Sequence, residues 1–417
     1  MAARDGAVPV AASSPDQGSR PPLDGLRVLD FTTFLSGPHG TQILADLGAE
    51  IIKVESPSGD LSRSIAPHFV AGDSLYFHTI NRNKRSITVD LKHPDAPALV
   101  RELIARSDVV YENFRPGVMT RLGLDAEELV AEHPELIWCS ISGFGQTGPY
   151  RSLQAYDMVV QAMSGSMSFT GEPGGAPVRT GIPLGDLSAG LHGNIAILAA
   201  LNRRNVTGRG EIIDISMLDC VISMLSYQGT YFLQSGQQPE PQGRGHDSIP
   251  TYRGFTAGDG RDVVITANTE AMWRALCATL GTEELLEDER FTDNAARLRN
   301  RDALWAVLEP AFLRESAEVW LQRFNENGVP AALVNTFEDV FTDEHVLHRE
   351  MVLEMRDDTT GESVRVPGRP IKLHQAPVPE PRFPPRLGGD TAEVLAEVLE
   401  VDDDQVASWR ERGLFGE

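Results

Sequence analysis

Between residues 22 and 142, short runs of apolar and β-branched residues alternate with segments of helical spacing. The strand-like runs are residues 26–31, 51–55, 86–91, 109–114 and 136–142, and the helical segments are 41–47, 96–105 and 126–131. This alternation is typical of a parallel sheet whose strands are joined by crossover helices. The pattern therefore predicts an α/β fold with a Rossmann-like large domain.

The length of the chain predicts a second domain. At 417 residues it exceeds what a single hydrophobic core usually supports. A Gly-, Pro- and Gln-rich stretch at 239–245 marks a loop near the domain switch, and the pattern beyond it predicts a smaller α/β domain. We expect a flexible N-terminal tail at 1–21, the large domain at 22–225, the small domain at 226–330 and a segment at 331–417 that completes the large domain.

The charge of the chain argues against one class of partner. The formal net charge is −23 and the pI is near 4.8, whereas a protein that binds nucleic acid needs a basic face for the phosphates. We therefore expect no nucleic-acid partner. An anionic ligand would need a local concentration of positive charge, and the stretch NRNKRS at residues 81–86 is the candidate for it.

The sequence indicates neither a membrane span nor a disulfide framework. It contains no uninterrupted run of about 18 apolar residues, the least that a span needs. Cys139, Cys220 and Cys277 are odd in number and widely spaced, which fits neither paired disulfides nor a metal site. Residues 1–21 lack the apolar core of a signal peptide. We expect a soluble, cytoplasmic protein with no membrane partner and no metal.

A Rossmann-like fold often binds a dinucleotide through a glycine-rich loop after its first strand. Here the corresponding turn, residues 32–40, reads TTFLSGPHG, and the Gly-x-Gly-x-x-Gly fingerprint is absent. A nicotinamide-dependent oxidoreductase is therefore disfavoured. Gly37 and Gly40 are still candidates for a close approach of the backbone to a phosphate.

Asp186 is the leading candidate for a reactive side chain. It precedes an apolar helix predicted over residues 187–204, which the segment 207–210 (TGRG) should end. A carboxylate at a helix N-terminus is favoured in its ionised form and can attack an acyl carbon. An ordinary N-cap residue occupies the same position. Local sequence alone favours the N-cap interpretation, with the nucleophile as the alternative.

Five short motifs in order bear on this choice. They are PLDGLRVLD at residues 22–30, LGAEIIKVE at 47–55, NKRS at 83–86, ENFRPG at 112–117 and GD at 185–186. Together they resemble the class III CoA-transferase family of the CaiB/BaiF type, over a region that runs from residue 22 towards the C-terminus. In that family the aspartate that matches Asp186 is the nucleophile.

The resemblance implies an enzyme that transfers coenzyme A from an acyl-CoA donor to a carboxylic acid. Asp186 would attack the thioester to form a mixed anhydride, and the released thiolate would then form an aspartyl-CoA thioester. The acceptor carboxylate would reverse these steps. The resemblance implies no permanently bound cofactor, since coenzyme A and acyl-CoA are substrates, and it implies an interlocked homodimer.

The family's contacts to coenzyme A match five positions of this chain. They are Lys92, Asn113, Phe114, Arg121 and Met217. Lys92 and Arg121 suit the phosphates, and Asn113 suits an amide. Each position has a structural alternative, because the two cations also fit a solvated surface, and Phe114 and Met217 also fit a core.

Tyr156 and Asp157 occupy a stretch that separates two reactions within this fold. Racemases of 2-methylacyl-CoA thioesters carry a histidine where this chain has Tyr156, and that histidine is the second acid/base group that epimerisation needs. Tyrosine, with an ordinary pKa of about 10, does not replace it. Transfer is favoured over the two alternatives, a racemase or isomerase and a CoA-binding protein without transferase activity. Tyr156 also fits simple packing against Met158 and Val159.

His246 follows a short glycine loop, QGRG at residues 242–245. It is a candidate for binding a substrate carboxylate, and it also fits an ordinary loop position. The loop is shorter than the polyglycine flap of family members that handle formate and oxalate, and Leu35 is apolar where those members tend to be polar. A different, larger acid is expected, and both a dicarboxylic and a branched acid fit this expectation. The glycine loop and residues 143–148 are candidate lids.

Overall fold

The computed structural model describes residues 20–416, which form two compact units. Unit 1 comprises the chain up to Ser164, Gly181–Ser226 and the chain from His348 onwards. Unit 2 comprises Gly165–Thr180 and Tyr227–Leu347. Of the tail expected at residues 1–21, positions 1–19 lie outside the described residues.

This division differs from the expected small domain at 226–330 at both ends. Unit 2 also holds the segment Gly165–Thr180, because Gly243 N–H donates to the carbonyl of Gly171 at 2.9 Å. It continues past residue 330, because residues 331–333 form a strand that pairs with residues 263–265 of the same unit. Neither contact has a signature in local sequence.

Unit 1 is built on a six-stranded parallel sheet. Its strands are β1 (Arg27–Asp30), β2 (Glu50–Glu55), β5 (Lys84–Thr88), β6 (Val109–Glu112), β7 (Ile137–Ser142) and β8 (Glu211–Ser216). They lie in the order β5-β2-β1-β6-β7-β8, so the direction in which strands are added reverses between β1 and β6. This is the strand order of a Rossmann fold, and the predicted Rossmann-like α/β architecture is confirmed.

Unit 1 also holds two small hairpins, formed by β3 (Phe69–Val70) with β4 (Asp73–Ser74) and by β12 (Val352–Arg356) with β13 (Ser363–Pro367). Its helices are α1 (Ser36–Asp46), α2 (Leu75–Ile80), α3 (Ala96–Ala105), α4 (Val118–Arg121), α5 (Ala126–Glu132), α6 (Asp157–Met163), α7 (Leu184–Thr207), α8 (Met217–Ser223), α16 (Thr391–Leu399) and α17 (Asp403–Glu411).

Helices cover both faces of the parallel sheet, as the alternation of side chains along each strand requires. Leu29 and Ile52 point into one core, together with apolar residues of α3, α16 and α17. Their neighbours Val28 and Ile51 point into the opposite core, which α1, α7 and α8 complete. The sheet is therefore buried between two helical layers.

Glycines allow α1 and α7 to pack closely. A Cβ atom added to Gly190 would lie 2.5 Å from the carbonyl of Ser36, and one added to Gly40 would lie 2.7 Å from the hydroxyl of Tyr111. A Cβ on Gly37 would clash with Thr32. All three glycines are buried against protein. The expectation that Gly37 and Gly40 receive a phosphate was wrong, because these positions serve the packing of α1.

The helix α7 ends at Thr207 with Gly208 in the left-handed conformation, as predicted. Within residues 20–416 it is the one helix whose length and composition would suffice to cross a membrane. Its buried residues, among them Ala189, Ile197 and Ala200, belong to the core of unit 1. The core helix of an α/β protein ordinarily meets such a criterion, so this finding is weak evidence for a membrane.

Unit 2 contains the three-stranded antiparallel sheet β11-β10-β9 and a set of helices. The strands are β9 (Tyr252–Thr256), β10 (Asp262–Thr266) and β11 (Ala331–Leu333). The helices are α9 (Ser226–Ser235), α10 (Glu270–Leu280), α11 (Asn294–Arg299), α12 (Arg301–Phe312), α13 (Ala317–Glu326), α14 (Phe337–Thr342) and α15 (Glu344–His348). Its separate core is aromatic, with Phe255 stacked on Phe312 at a centroid distance of 4.2 Å. The predicted smaller α/β domain is thus present.

Candidate active site

Most of the predicted site residues meet around a cavity of about 250 Å³ at the carboxyl edge of the parallel sheet. The loops after β1, β6 and β7 form much of its wall. Its lining includes Thr33, Phe34, Ser36, Asn113, Phe114, Arg115, Ser142, Arg151, Tyr156, Asp186 and Met217. Because the strand order reverses between β1 and β6, the connections diverge there and leave the crevice in which an open α/β sheet binds its ligand.

Asp186 lies in the first turn of α7, as its third residue. The residue that precedes the helix is Pro183, so the interpretation of Asp186 as N-cap was wrong. The helix begins earlier because Gly185 is itself helical, and its N–H donates to Oδ1 of Asp157 at 2.7 Å. Within residues 20–416, no donor forms a hydrogen bond to the Asp186 carboxyl group.

Burial raises the pKa of Asp186 to about 7, and the nearby Asp157 carboxylate adds to the shift. Desolvation disfavours the charged form of a carboxyl group, and a second negative charge does the same. The helix dipole, which we expected to hold Asp186 ionised, is outweighed. At neutral pH the carboxyl group is divided between its two protonation states, as is common for carboxyl groups that take part in chemistry.

Asp157 connects two helices next to this carboxyl group. It is the first residue of α6, and it accepts hydrogen bonds from Gly185 N–H and from Nε2 of Gln161, each at 2.7 Å. Tyr156 immediately precedes α6 and is largely exposed. Its ring centroid lies 6.1 Å from that of Phe34 across the cavity wall. Tyr156 and Asp157 therefore border the region around Asp186.

Asn113 holds the turn that follows β1. Its Oδ1 accepts from Thr33 N–H at 2.8 Å, and its Nδ2 donates to the carbonyl of Thr33 at 2.8 Å and to Oγ of Ser36 at 3.1 Å. Both ends of the amide are thus engaged within the protein. Asn113 shapes the cavity wall, and a contact with coenzyme A would have to share these groups.

The other residues predicted to contact coenzyme A fall into two groups in the structure. Phe114 and Met217 line the cavity, whereas Lys92 and Arg121 are exposed and lie outside its lining. The cations that do line it are Arg115 and Arg151, and the sequence interpretation missed both. The motif ENFRPG contains Arg115, so that signal was available. Arg151 follows a glycine-rich segment with no pattern that marks it.

The basic stretch at residues 81–86 is not an anion site. Arg82 forms a buried ion pair with Asp46 at 2.5 Å, and Lys84 forms another with Asp30 at 3.2 Å. Both cations serve the interior of unit 1. The hypothesis of a cationic patch was wrong because these side chains point inward from β5 and from the turn before it.

Glu112, the last residue of β6, is a second buried carboxyl group, and no cation of the part of the chain that the structure describes lies beside it. Its carboxyl oxygen accepts from Phe114 N–H at 2.7 Å. Burial raises its pKa to about 7, although the hydrogen bonds from Ser140 and Phe114 oppose the shift. Glu112 thus anchors the loop that carries Phe114.

His246 lies in unit 2, beside a separate cavity of about 240 Å³. Its ring stacks on Tyr252 at 5.3 Å, and its Nε2 is 3.2 Å from the Tyr227 hydroxyl. The preceding glycine loop is tied down, because Gly243 N–H donates to Gly171 and Arg244 pairs with Asp262 at 2.8 Å. This hydrogen bonding fits a fixed wall of the unit 2 cavity better than a mobile lid.

No group of three or more His, Cys, Asp or Glu side chains that could hold a metal ion occurs among residues 20–416. The three cysteines are buried and unpaired.

Comparison with known proteins identifies the family of this chain. The model of CoA-transferase family III matches residues 23–391. The chain belongs to CoA-transferase family III. It is 39% identical to succinyl-CoA:glutarate CoA-transferase of Mus musculus over 392 residues, which are 94% of this chain and 89% of that protein. It is 40% identical to acetyl-CoA:oxalate CoA-transferase of Acetobacter aceti over 354 residues, which are 84% of this chain and 89% of that protein.

A solved structure agrees with this assignment. A CaiB/BaiF family protein from Brucella suis matches with a TM-score of 0.81 and 40% identity, over 91% of this chain and all of that one. The resemblance inferred from the five motifs is therefore confirmed, as is the class of enzyme. This family III CoA-transferase moves coenzyme A between an acyl-CoA and a carboxylic acid.

Proposed function

We propose that Asp186 is the nucleophile of this CoA-transferase and that the cavity beside it receives the acyl group under transfer. One observation carries the proposal: Asp186 supplies the carboxyl group in the lining of the cavity, with no hydrogen-bond donor from residues 20–416 upon it. A carboxylate with a raised pKa is more basic than an ordinary aspartate and, once ionised, a stronger nucleophile.

The reaction proceeds through covalent intermediates on Asp186. A carboxylate oxygen attacks the thioester carbonyl of the donor, the C–S bond breaks, and the CoA thiolate leaves a mixed anhydride. The thiolate then attacks the aspartyl carbonyl of the anhydride, which releases the donor acid and leaves an aspartyl-CoA thioester. The acceptor carboxylate attacks the aspartyl carbonyl of this thioester, the C–S bond breaks, and the CoA thiolate leaves a second mixed anhydride. The thiolate then attacks the acceptor's carbonyl in that anhydride, which releases the product acyl-CoA and the Asp186 carboxylate.

This sequence requires no permanently bound cofactor, because one thioester is exchanged for another. It does require that water be kept from the anhydride. The apolar side chains of Phe34, Phe114 and Met217 in the cavity wall support such exclusion. Tyr156 supports transfer over racemisation, because it occupies the position at which the racemases of this fold carry their histidine.

We propose a dicarboxylic acid as acceptor and a short dicarboxylyl-CoA as donor. The names of two relatives with about 39% identity, in Mus musculus and Agrobacterium fabrum, pair succinyl-CoA or succinate with glutarate. Arg115 and Arg151 at the cavity make no salt bridge within residues 20–416, so their charges are available for anionic groups of the substrates. His246 in unit 2 remains a candidate for a carboxylate contact.

We also propose that the enzyme acts as a cytoplasmic homodimer. An apolar stripe of Leu191, Ile195 and Leu198 is exposed on α7, and a second copy of the chain would cover it. Three buried, unpaired cysteines are consistent with a reducing compartment.

The test is a donor and acceptor screen. Succinyl-CoA is incubated with mono- and dicarboxylic acids of increasing length, and the acyl-CoA products are identified by mass. Hydroxylamine is added to trap the aspartyl thioester, and the modified peptide should contain Asp186. The Asp186→Asn variant should neither transfer CoA nor form the adduct. Asp125→Asn is the matched control, since Asp125 is a plain N-cap that accepts from Glu127 N–H.

Two outcomes would contradict the proposal. If Asp186→Asn transferred CoA at the wild-type rate, Asp186 would not be the nucleophile. If no acid were converted while deuterium from the solvent entered the α-carbon of a 2-methylacyl-CoA, the enzyme would be a racemase.

A further inference from the structure

The turn between β1 and α1 is held in an unusual conformation beside Asp186. Phe34 has a φ of 70°, in the left-handed region that side chains other than glycine rarely adopt. The residue at this position is nevertheless phenylalanine and not glycine, and its ring lines the cavity that Asp186 also lines. A strained residue of this kind persists only where its surroundings force it.

Those surroundings are polar and buried. Nζ of Lys53 donates to the carbonyl of Thr32 at 2.6 Å and lies 2.9 Å from Oδ2 of Asp60. The other oxygen of Asp60, Oδ1, accepts from Phe34 N–H at 3.1 Å. The side chains of Lys53 and Asp60 are fully buried. The Lys53–Asp60 ion pair therefore holds the turn on both sides of Thr33, through the carbonyl of Thr32 and the N–H of Phe34.

The ring of Phe34 stands between two tyrosines. Its centroid lies 5.6 Å from that of Tyr76 and 6.1 Å from that of Tyr156. Tyr156 and the next residue, Asp157, border Asp186. Burial raises the pKa of the Tyr76 phenol, and the charge of the nearby Asp186 raises it further. The rings of Phe34 and Tyr156 thus line the cavity next to the proposed nucleophile, and the ring of Tyr76 packs against that of Phe34.

We propose that Phe34 limits the size of the acid that reaches Asp186 and that the Lys53–Asp60 pair is the positioning device that keeps Phe34 there. This inference rests on the proposed function, because it assigns the wall of the same acyl site. Breaking the pair releases the turn, and Phe34 can then return to an unstrained conformation and withdraw from the wall.

The test compares acids of different length. In Phe34→Ala the ratio of kcat/KM for a six-carbon to a five-carbon dicarboxylic acid should rise about tenfold, the scale on which an apolar pocket discriminates added methylene groups. In Lys53→Met the ratio should shift in the same direction although Phe34 is intact. Asp60→Asn, which retains an acceptor for Phe34 N–H, should shift it less and serves if Lys53→Met does not fold.

The matched control is Arg82→Met. It breaks another buried ion pair of unit 1, with Asp46 at the end of α1, far along the helix from the turn. This variant should lose thermal stability as Lys53→Met does and leave the ratio of the two acids unchanged. A ratio that stayed constant in Phe34→Ala would overturn the specificity role. If the ratio changed as much in Arg82→Met as in Lys53→Met, the Lys53–Asp60 pair would contribute only to general stability and would not position Phe34.

Amide hydrogen exchange gives a readout that does not depend on transfer. The N–H groups of Thr33 and Phe34 are bonded to Asn113 and Asp60, so Lys53→Met should speed exchange in the peptide that contains them at least tenfold relative to Arg82→Met. Unchanged exchange would overturn the positioning role. If the wild-type protein transferred CoA to no acid, the proposed function would fail while this measurement still decided the positioning role.

Discussion

Unit 1 buries two kinds of carboxyl group within the same structure. Asp30 and Asp60 each lie beside a lysine, with Lys84 at 3.2 Å and Lys53 at 2.9 Å. Burial alone would raise their pKa, yet the lysine charges and hydrogen bonds outweigh it, and both values are lowered. Asp186 has no such cation among the described residues 20–416, and burial together with Asp157 raises its pKa to about 7. Removing one partner of a buried ion pair destabilises the fold, whereas a buried carboxyl group without a cation remains available for reaction.

The largest effect should come from Asp186→Asn. Transfer should fall by at least about 10³-fold, because the proposed nucleophile is lost. The same variant should melt about 2 °C higher at pH 8. The folded pKa of about 7 lies above the ordinary 3.8, so ionisation costs stability as the pH rises through 7, and asparagine avoids that cost. Scanning calorimetry at pH 8 and pH 4 checks this, with the gain expected to vanish at pH 4.

Asp30→Asn should have the opposite effect on stability. It leaves Lys84 buried without its partner, and breaking such a pair costs about 3 kcal/mol. The lowered pKa of Asp30 means that its contribution is present above the ordinary pKa and is lost as the pH falls through the folded value. The melting temperature should therefore drop most at neutral pH. An equal deficit at all pH values would show that the charge of Asp30 is not what stabilises the fold.

Asp157→Asn should lower the pKa of Asp186 and so reduce its difference from the paired carboxyl groups. It removes the charge that contributes to the raised pKa of Asp186 and retains an acceptor for Gly185 N–H. The acid limb of the kcat/KM profile, expected near pH 7 in the wild type, should move to lower pH. The shift should be partial because burial is the larger cause. A limb that stayed in place would mean that another group controls it.

Glu112→Gln should have the smallest effect. Burial raises the pKa of Glu112 to about 7 as well, but Glu112 does not line the cavity. Transfer should persist with its acid limb unchanged, and the melting temperature should rise slightly at pH 8 and not at pH 5. Movement of the acid limb in this variant would assign that limb to Glu112 instead of Asp186.

The sequence was sufficient to predict the parallel sheet and to propose Asp186 as the reactive residue. Hydrophobic periodicity located β1, β2, β6 and β7 to within about two residues, because both faces of each strand are buried and the runs are therefore continuously apolar. The proposal for Asp186 rests on its motif. The environment of Asp186 could not be predicted, because the start of α7 depends on a hydrogen bond from Gly185 to Asp157, which is 28 residues distant in sequence.

Charges were the least predictable feature. Residues 81–86 looked like an anion site because local sequence does not show that Arg82 and Lys84 point towards Asp46 and Asp30. The same limit hid Phe34, since its conformation depends on Lys53 and Asp60 from the next strand and loop. Partners distant along the chain decide whether a charged side chain is exposed or buried.

The edge of the sheet has a consequence for how the chain is made. Strand β5 is an outer strand, and its Ser86 N–H is bonded to Asp390, 304 residues later. At a synthesis rate of about 5–20 residues per second, the ribosome needs roughly 15–60 s to produce the segment that covers this edge. Throughout that interval a nascent β5 would present open backbone groups to neighbouring chains. The late C-terminal segment therefore closes a site of intermolecular association, and a polypeptide truncated before Asp390 should aggregate during expression.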